Sequence, residues 1–333
     1  MALLEIKDLT IYYRLQEGWV HAIENVSIDL ENGERLGLVG ESGCGKTTLA
    51  YSITFLLSNN AYLKNGSIKF EGRDLTKIAV KKDGRIDMFS EGLREIRWKD
   101  ISIIFQSAMN SFNPVMTIGD QIAEAIQTHE TIGREDTEKR IENLYDLVGI
   151  PRDRIDSYPH EYSGGMRQRS LIAMSIALNP KLIIADEPTT ALDVITQDRI
   201  LAELVKLQQS INSSMIIISH DISIVAQLST RIAIMYAGEI VENAPTREIF
   251  KAPKHPYTMA LLRAFPSIKG EKKRLSTIPG SPPDLVNPPK GCRFSPRCPF
   301  SKEKCVNEKP LLREISPKHT VACHFSEEIS GGK

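Results

Sequence analysis

Residues 40–48 read Gly-Glu-Ser-Gly-Cys-Gly-Lys-Thr-Thr, directly after the apolar run Glu34-Arg-Leu-Gly-Leu-Val39 and running into the helical pattern Thr48-Leu-Ala-Tyr-Ser-Ile53. The stretch fits G-x-x-x-x-G-K-[ST] in the strand–loop–helix context that gives the pattern its meaning. Glycines let backbone amides turn inward on phosphate, and a helix N-terminus adds positive potential. Gly40, Ser42, Gly43, Cys44, Gly45, Lys46, Thr47 and Thr48 are therefore expected to cradle a nucleoside triphosphate. Lys46 should reach the β- and γ-phosphates and Thr47 should ligate Mg²⁺. Cys44 reads as a small filler whose thiol the helix N-terminus would make more acidic and oxidisable.

Two other apolar runs end in polar groups. Leu182-Ile-Ile-Ala-Asp-Glu-Pro188 reads as a buried strand that delivers two adjacent carboxylates. Asp186 is placed to hold Mg²⁺ through water and Glu187 to polarise an attacking water. Ile216-Ile-Ile-Ser-His220 ends in a histidine, and parallel strands bring their carboxyl ends to one edge, so His220 is a candidate γ-phosphate contact.

The rest of the chain frames these motifs. At 333 residues it exceeds one small core, and about 150 residues per domain makes two parts the default. Lys plus Arg and Asp plus Glu are equal at 42 each, so no basic excess points to nucleic acid. The opening MALLEIKDLTIYYRL lacks the marks of a signal peptide, and no apolar run reaches the roughly 18–20 residues of a membrane helix. A cytoplasmic protein that meets a membrane only through partners is the expectation.

Short apolar or β-branched runs at 4–8, 27–30, 101–105, 182–185, 215–219 and 231–236 read as strands, and 168–178 and 196–209 as helices. Alternation of this kind implies a largely parallel α/β core, and the strand-free stretch from 119 to 178 implies a helical insertion. After residue 250 the composition shifts: twelve of eighteen prolines fall in the last 83 residues, which reads as a boundary and a loop-rich C-terminal module.

That module holds Cys292, Cys298, Cys305 and Cys323 in the spacing C-x5-C-x6-C-x17-C. In a reducing compartment such a group is more often metal-binding or redox-active than disulfide-bonded. Zinc sites usually show cysteine pairs two to four residues apart, which are absent here. A [4Fe–4S] cluster is wider and takes one cysteine per iron corner, so spacing tilts toward iron–sulfur, with zinc, disulfides and free thiols left open. His319 and His324 flank Cys323 and are expected to be solvated or to back the ligands. A metal that staples a proline-rich module is physically sufficient, and a redox sensor is the other reading.

Ser163-Gly-Gly-Met-Arg-Gln-Arg169, 19 residues before the Asp-Glu strand, resembles the signature of ATP-binding-cassette (ABC) ATPases, although Tyr162 and Met166 depart from its commonest form. The resemblance implies an α/β P-loop NTPase fold over residues 1–250, with an antiparallel β subdomain and a helical subdomain at about 107–178. It implies roles for Gln106 in IIFQSAMNSFNP, for Ser163, Gly164 and Gly165 against the ATP of a second subunit, and for Asp193 in the D-loop Ala191-Leu192-Asp193. It also implies that Asp186 and Gln106 join Thr47 at Mg²⁺, that His220 is the switch histidine, and that Tyr13, with Tyr12 as competitor, stacks on adenine.

HPYT at 255–258, IPGSPPD and the cysteine tail resemble the ATPase subunits of dipeptide/oligopeptide importers, the group that also contains nickel importers. For residues 251–333 this implies an importer-type extension with a [4Fe–4S] cluster. The implied partners are a second, related ATPase subunit, two membrane-spanning permeases and an extracytoplasmic peptide-binding protein. The expected function is ATP hydrolysis that energises peptide import from the cytoplasmic face of the membrane. The alternatives are import of nickel or another solute, and a non-transport ABC ATPase of DNA repair or translation, which a single cassette, no sustained heptads and zero net charge count against.

Overall fold

The computed structural model describes residues 2–106, 111–189, 193–264 and 278–331. In chain order its principal elements are β1 (Leu4–Leu15), β2 (Gly18–Leu30), β3 (Arg35–Val39), α1 (Lys46–Ile53), β4 (Ala61–Phe70), β5 (Arg73–Asp74), β6 (Ile101–Ile104), α2 (Ile118–Gln127), α3 (Arg134–Leu147) and α4 (Gly164–Ile176). They continue with β7 (Leu182–Asp186), α5 (Val194–Ser210), β8 (Ser214–Ser219), α6 (Ile222–Leu228), β9 (Arg231–Tyr236), β10 (Glu239–Pro245), α7 (Thr246–Lys251), α8 (Pro256–Ala264), β11 (Arg313–Ser316) and β12 (His319–Val321). The chain forms two compact units.

The first unit comprises residues 1–31, 35–88 and 218–333. It contains the antiparallel sheet β2-β1-β4-β5 and the strand order β11-β12-β10-β9-β3. β3 and β9 pair in parallel, Leu36 opposite Arg231 and Val39 opposite Ile234, and every residue of β9 is buried. Burial on both faces is what continuous apolar runs specify. β10 then adds antiparallel to β9, and the tail strand β12 adds to β10 through Glu242–Val321 and Asn243–Thr320.

Beneath these strands Val39, Ile232, Ile234, Tyr236, Tyr257 and Phe294 share one core. Ring centroids of Tyr236, Tyr257 and Phe294 lie 4.6–5.4 Å apart, with the Phe294 ring edge-on to both tyrosines. Such pairs contribute about 0.5–1.5 kcal/mol each beyond their buried area. The C-terminal module thus shares a core with the strand that feeds the phosphate loop.

The second unit comprises residues 32–34 and 89–217. β6 and β7 pair in parallel from Ile101–Leu182 to Ile104–Ala185, and β8 follows β7 in the sheet order. Between residues 111 and 181 the described structure is helical, as the sequence suggests. Thr117, Ser163 and Asp193 each accept a hydrogen bond from a backbone N–H of the first turn of the helix they precede. Such caps are worth about 1 kcal/mol each and fix where α2, α4 and α5 begin.

Most expected elements occur with shifted ends. β1 runs to Leu15 instead of stopping at residue 8, and β2 begins at Gly18 instead of residue 27. The cause is a bulge in each strand: Asp8 sits at φ +47° where the β1–β2 register shifts between Ile6 and Leu9, and Asn25 sits at φ +51° where it shifts again between Leu9 and Ile11. One extra residue breaks the period-two pattern without ending the strand.

Candidate functional site

The phosphate loop leaves β3 at Gly40, where a Cβ would stand 2.1 Å from the Met235 carbonyl oxygen. Gly45 has φ +105°, and a Cβ there would lie 2.6 Å from the Ala22 oxygen. No other residue fits either position, and at these two points the loop is held tightly against β9 and β2. At Gly43 the loop faces open space. α1 starts at Lys46 with no side chain capping its first turn, unlike α2, α4 and α5, so its amides remain available to an anion.

Lys46 is 6% exposed, and its ammonium donates to the carbonyl oxygens of Gly40 at 2.8 Å and Glu41 at 2.9 Å. Its third neighbour is Cys44 Sγ at 3.8 Å. The lysine is folded back on its own loop, where a phosphate would exchange for two carbonyls. Burial pushes the Cys44 thiol above the ordinary thiol range, outweighing the nearby Lys46 charge. The acidic, oxidisable Cys44 expected from the helix N-terminus is therefore corrected: desolvation of the thiolate wins.

Tyr13 and Tyr12 part company. Tyr13 donates to Thr48 Oγ1 at 3.4 Å, which places it beside the first turn of α1. Tyr12 stacks instead on His21, with ring centroids 4.0 Å apart. His220 is exposed directly after β8, and the following Asp221 caps α6 through Ser223.

In the second unit Asp186 ends β7 and is 1% exposed, while Glu187 follows at φ +46°. Left-handed backbone at a glutamate is uncommon and costs about 1 kcal/mol or more. Gln106, two residues past β6, donates from Nε2 to Glu187 Oε2 at 2.9 Å. Two residues the sequence set 81 positions apart thus meet directly.

Ser163 is the N-cap of α4, its Oγ accepting from Met166 N–H at 3.3 Å, and a Cβ on Gly165 would touch Thr196 of α5 at 3.4 Å. Asp193 caps that helix through Thr196 N–H at 3.0 Å. Gly164 opens α4. The signature residues and Asp193 therefore occupy neighbouring helix starts. Ala191 and Leu192 of the expected D-loop, and positions 107–110 after Gln106, lie outside the described residues.

Cys292, Cys298, Cys305 and Cys323 line one cavity together with Phe294 and His324. All four are free thiols. Among the described residues no group of three His, Cys, Asp or Glu side chains could hold a metal ion. The four sulfurs thus share a cavity without being gathered as the donor set of a single ion. Burial pushes Cys292 up to about 12 and Cys298 up to about 11, and it raises Cys323 as well.

His319, expected to be solvated or to back the cysteines, is instead buried, its Nε2 2.7 Å from Glu242 Oε1. Glu242 also accepts the N–H groups of Lys254 and His255 at 2.7 and 2.9 Å. A fully buried carboxylate needs such partners, and they tie β12 and the HPYT turn to β10.

Three residues of this site, Glu41, Arg293 and Arg297, carry no motif signal, and they act together with Tyr257 of HPYT. Glu41, the second residue of the loop, gives its N–H to Tyr257 Oη at 2.9 Å. Its carboxylate receives both terminal nitrogens of Arg297, at 2.6 and 3.0 Å. Arg293, next to Cys292, bonds Glu24 and the Ala237 carbonyl oxygen and lies 3.1 Å from Glu239. The available signal was positional: each arginine adjoins a cysteine.

Comparison with known proteins places this geometry. A family model described as ABC transporter matches residues 23–190, and one described as oligopeptide/dipeptide transporter, C-terminal region, matches residues 241–305. The oligopeptide transport ATP-binding protein OppD of Bacillus subtilis (strain 168) is 45% identical over 323 residues, covering 96% of this chain and 87% of that protein. The dipeptide transport ATP-binding protein DppD of Escherichia coli (strain K12) is 39% identical over 333 residues, covering 99% of each. Among solved structures, the dimeric post-hydrolysis state of the ATP-binding cassette MJ0796 bound to ADP and Pi superposes with a TM-score of 0.63 at 26% identity, over 73% of this chain and 99% of that one.

Proposed function

The chain belongs to the ABC transporter ATP-binding family, and from that premise we infer that it hydrolyses ATP to energise the import of di- or oligopeptides. The observation that carries this reading is the joining, in one compact unit, of a phosphate loop holding Lys46 to an importer-type extension whose Tyr257 and Arg297 grip that loop at Glu41. The oligopeptide/dipeptide-transporter match over residues 241–305 counts against the alternative of a DNA-repair or translation ATPase.

We read residues 1–250 as the cassette, with its helical subdomain at about 107–178, and 251–333 as the extension. Gly40–Thr48 amides and Lys46 take the phosphates, and Tyr13 takes adenine. Glu187 orients the attacking water, Gln106 holds Glu187, and His220 supports the γ-phosphate. Ser163, Gly164, Gly165 and Asp193 serve the nucleotide of a second ATPase subunit. The hydroxyl of Thr47, the carboxylate of Asp186 and the amide oxygen of Gln106 are hard oxygen donors suited to Mg²⁺. The ion, when bound, neutralises charge on the β- and γ-phosphate oxygens.

We propose that the four cysteines, which line one cavity, hold a [4Fe–4S] cluster rather than zinc, because their spacing lacks the close cysteine pairs of a zinc site. Thiols pushed up to about 11 and 12 ionise at neutral pH only when a metal takes the proton's place. Iron and sulfide analysis of protein purified without oxygen tests this, and stoichiometric zinc would overturn it.

Among the described residues no helix is long and apolar enough to cross a membrane. The likeness to peptide-transport ATP-binding proteins supports, as proposed partners, two membrane-spanning permeases with this chain on their cytoplasmic face and an extracytoplasmic peptide-binding protein that delivers the solute. The test is reconstitution of those subunits in proteoliposomes. ATP hydrolysis should rise with a di- or oligopeptide; a rise with Ni²⁺ alone would reassign the solute, and a rise only with nucleic acid would overturn transport.

A further inference from the structure

Glu41 occupies a position at which the phosphate-loop pattern admits any residue, and the residue present is the one least suited to a polyanion. An unscreened carboxylate at the second position of a loop that binds triphosphate opposes the ligand it serves. Here it is paired. Arg297 meets it with two parallel N–H···O bonds at 2.6 and 3.0 Å, the bidentate geometry that a guanidinium alone provides.

Arg297 is itself fixed. Its side chain is 4% exposed, Nε donates to the Pro279 carbonyl oxygen at 2.8 Å, and Nη1 lies 3.3 Å from Tyr236 Oη. Tyr257 is as constrained: its ring packs on Tyr236 and Phe294, its N–H donates to His255 Nδ1 at 3.1 Å, and its hydroxyl accepts the Glu41 N–H. The Glu41 carbonyl oxygen completes the set by accepting from Lys46. Side chain, amide and carbonyl of one loop residue are thus each committed, two of them to the C-terminal extension.

We propose that Arg297 is a positioning residue for the nucleotide: it neutralises Glu41 and pins it in place, so that the loop presents amides and Lys46 to the phosphates rather than a negative charge. The extension then sets nucleotide affinity from outside the phosphate loop. Arg297 precedes Cys298 in the chain, so the cysteine cavity and the phosphate loop share one rigid turn, Ser295–Arg297. The proposal rests on the reading that Gly40–Thr48 hold ATP.

The experiment measures binding of Mg²⁺ with fluorescent N-methylanthraniloyl-ATP to the full chain. Arg297→Met leaves the Glu41 charge unpaired, and the dissociation constant should rise about tenfold or more. The double variant E41Q/R297M removes both charges and should return most of that loss, an outcome that loss of the Arg297 bonds to Pro279 and Tyr236 would not by itself produce. In ATPase assays the single variant should raise KM and hold kcat within about twofold. Should R297M not fold, Arg297→Gln carries the test on the same terms, since it too leaves the Glu41 charge unpaired, with a rise that E41Q again reverses. Unchanged affinity in folded R297M, or a double variant no better than the single, overturns the proposal while leaving the nucleotide site intact. Failure of the wild-type chain to bind the probe would overturn the nucleotide reading and this one together.

Discussion

Gln106 donates a 2.9 Å hydrogen bond to the carboxylate of Glu187, a residue held at φ +46° at the end of β7. The two facts belong together: a strained backbone aims the side chain, and the amide fixes its rotation. Glu187→Gln should keep ATP binding and lower hydrolysis by about 10²-fold or more, since a positioned base contributes that much. Hydrolysis at the wild-type rate would remove Glu187 from its assigned role. Glu187→Gly should be equally inactive yet melt about 2 °C higher, because glycine relieves the left-handed strain.

Tyr13 lies beside α1 through Thr48, while the Tyr12 ring is engaged with His21. Stacking of an aromatic ring on a base is worth about 1–3 kcal/mol, so Tyr13→Ala should weaken ATP binding by about five- to a hundredfold. Tyr12→Ala should change it by less than about twofold. Equal losses in the two variants, read by equilibrium titration, would show that neither ring is the adenine platform.

The parts of this molecule legible from sequence are those whose signal is local. Gly40–Thr48, the apolar run of β9 and the Asp186–Glu187 strand end each declare themselves within ten residues. What escaped depends on distance along the chain. Arg297 and Glu41 stand 256 residues apart, and His319 and Glu242 stand 77 apart. Each looks like an ordinary solvated charge until β12 adds to β10 and Phe294 enters the core under β3. The bulge at Asp8 hid the length of β1 in a different way, by breaking the alternation that identifies a strand. Cys44 was misjudged because a helix N-terminus can be read from sequence, whereas the burial that outweighs it cannot.

That outcome is testable on Cys44 itself. With its thiol raised by burial and its Sγ set against Lys46, it should resist alkylation by iodoacetamide at pH 8 in the folded chain and react readily in urea. Peptide mass mapping over a time course measures this. Labelling of native Cys44 at the rate of a free thiol would return it to the oxidisable class.

His255 supplies a pH dependence whose sign can be worked out. It is buried, its Nδ1 accepts the Tyr257 N–H, and its ring also bonds the Ala322 backbone, so the fold uses the neutral ring. Burial moves its pKa down to about 4 from 6.5, against the pull of Glu242. Between those values the unfolded chain binds a proton that the folded chain refuses. Stability therefore falls as pH drops from about 6.5 toward about 4, by about 1.4 kcal/mol per pH unit and about 3 kcal/mol in total. Above pH 6.5 this group contributes no slope. Urea unfolding of the wild type and of His255→Gln at pH 7, 6 and 5 isolates the contribution: the variant should be weaker at pH 7 and lose less on acidification, so that the two curves converge. Parallel curves would mean that the ring at position 255 takes up its proton in the folded chain as easily as in the unfolded one.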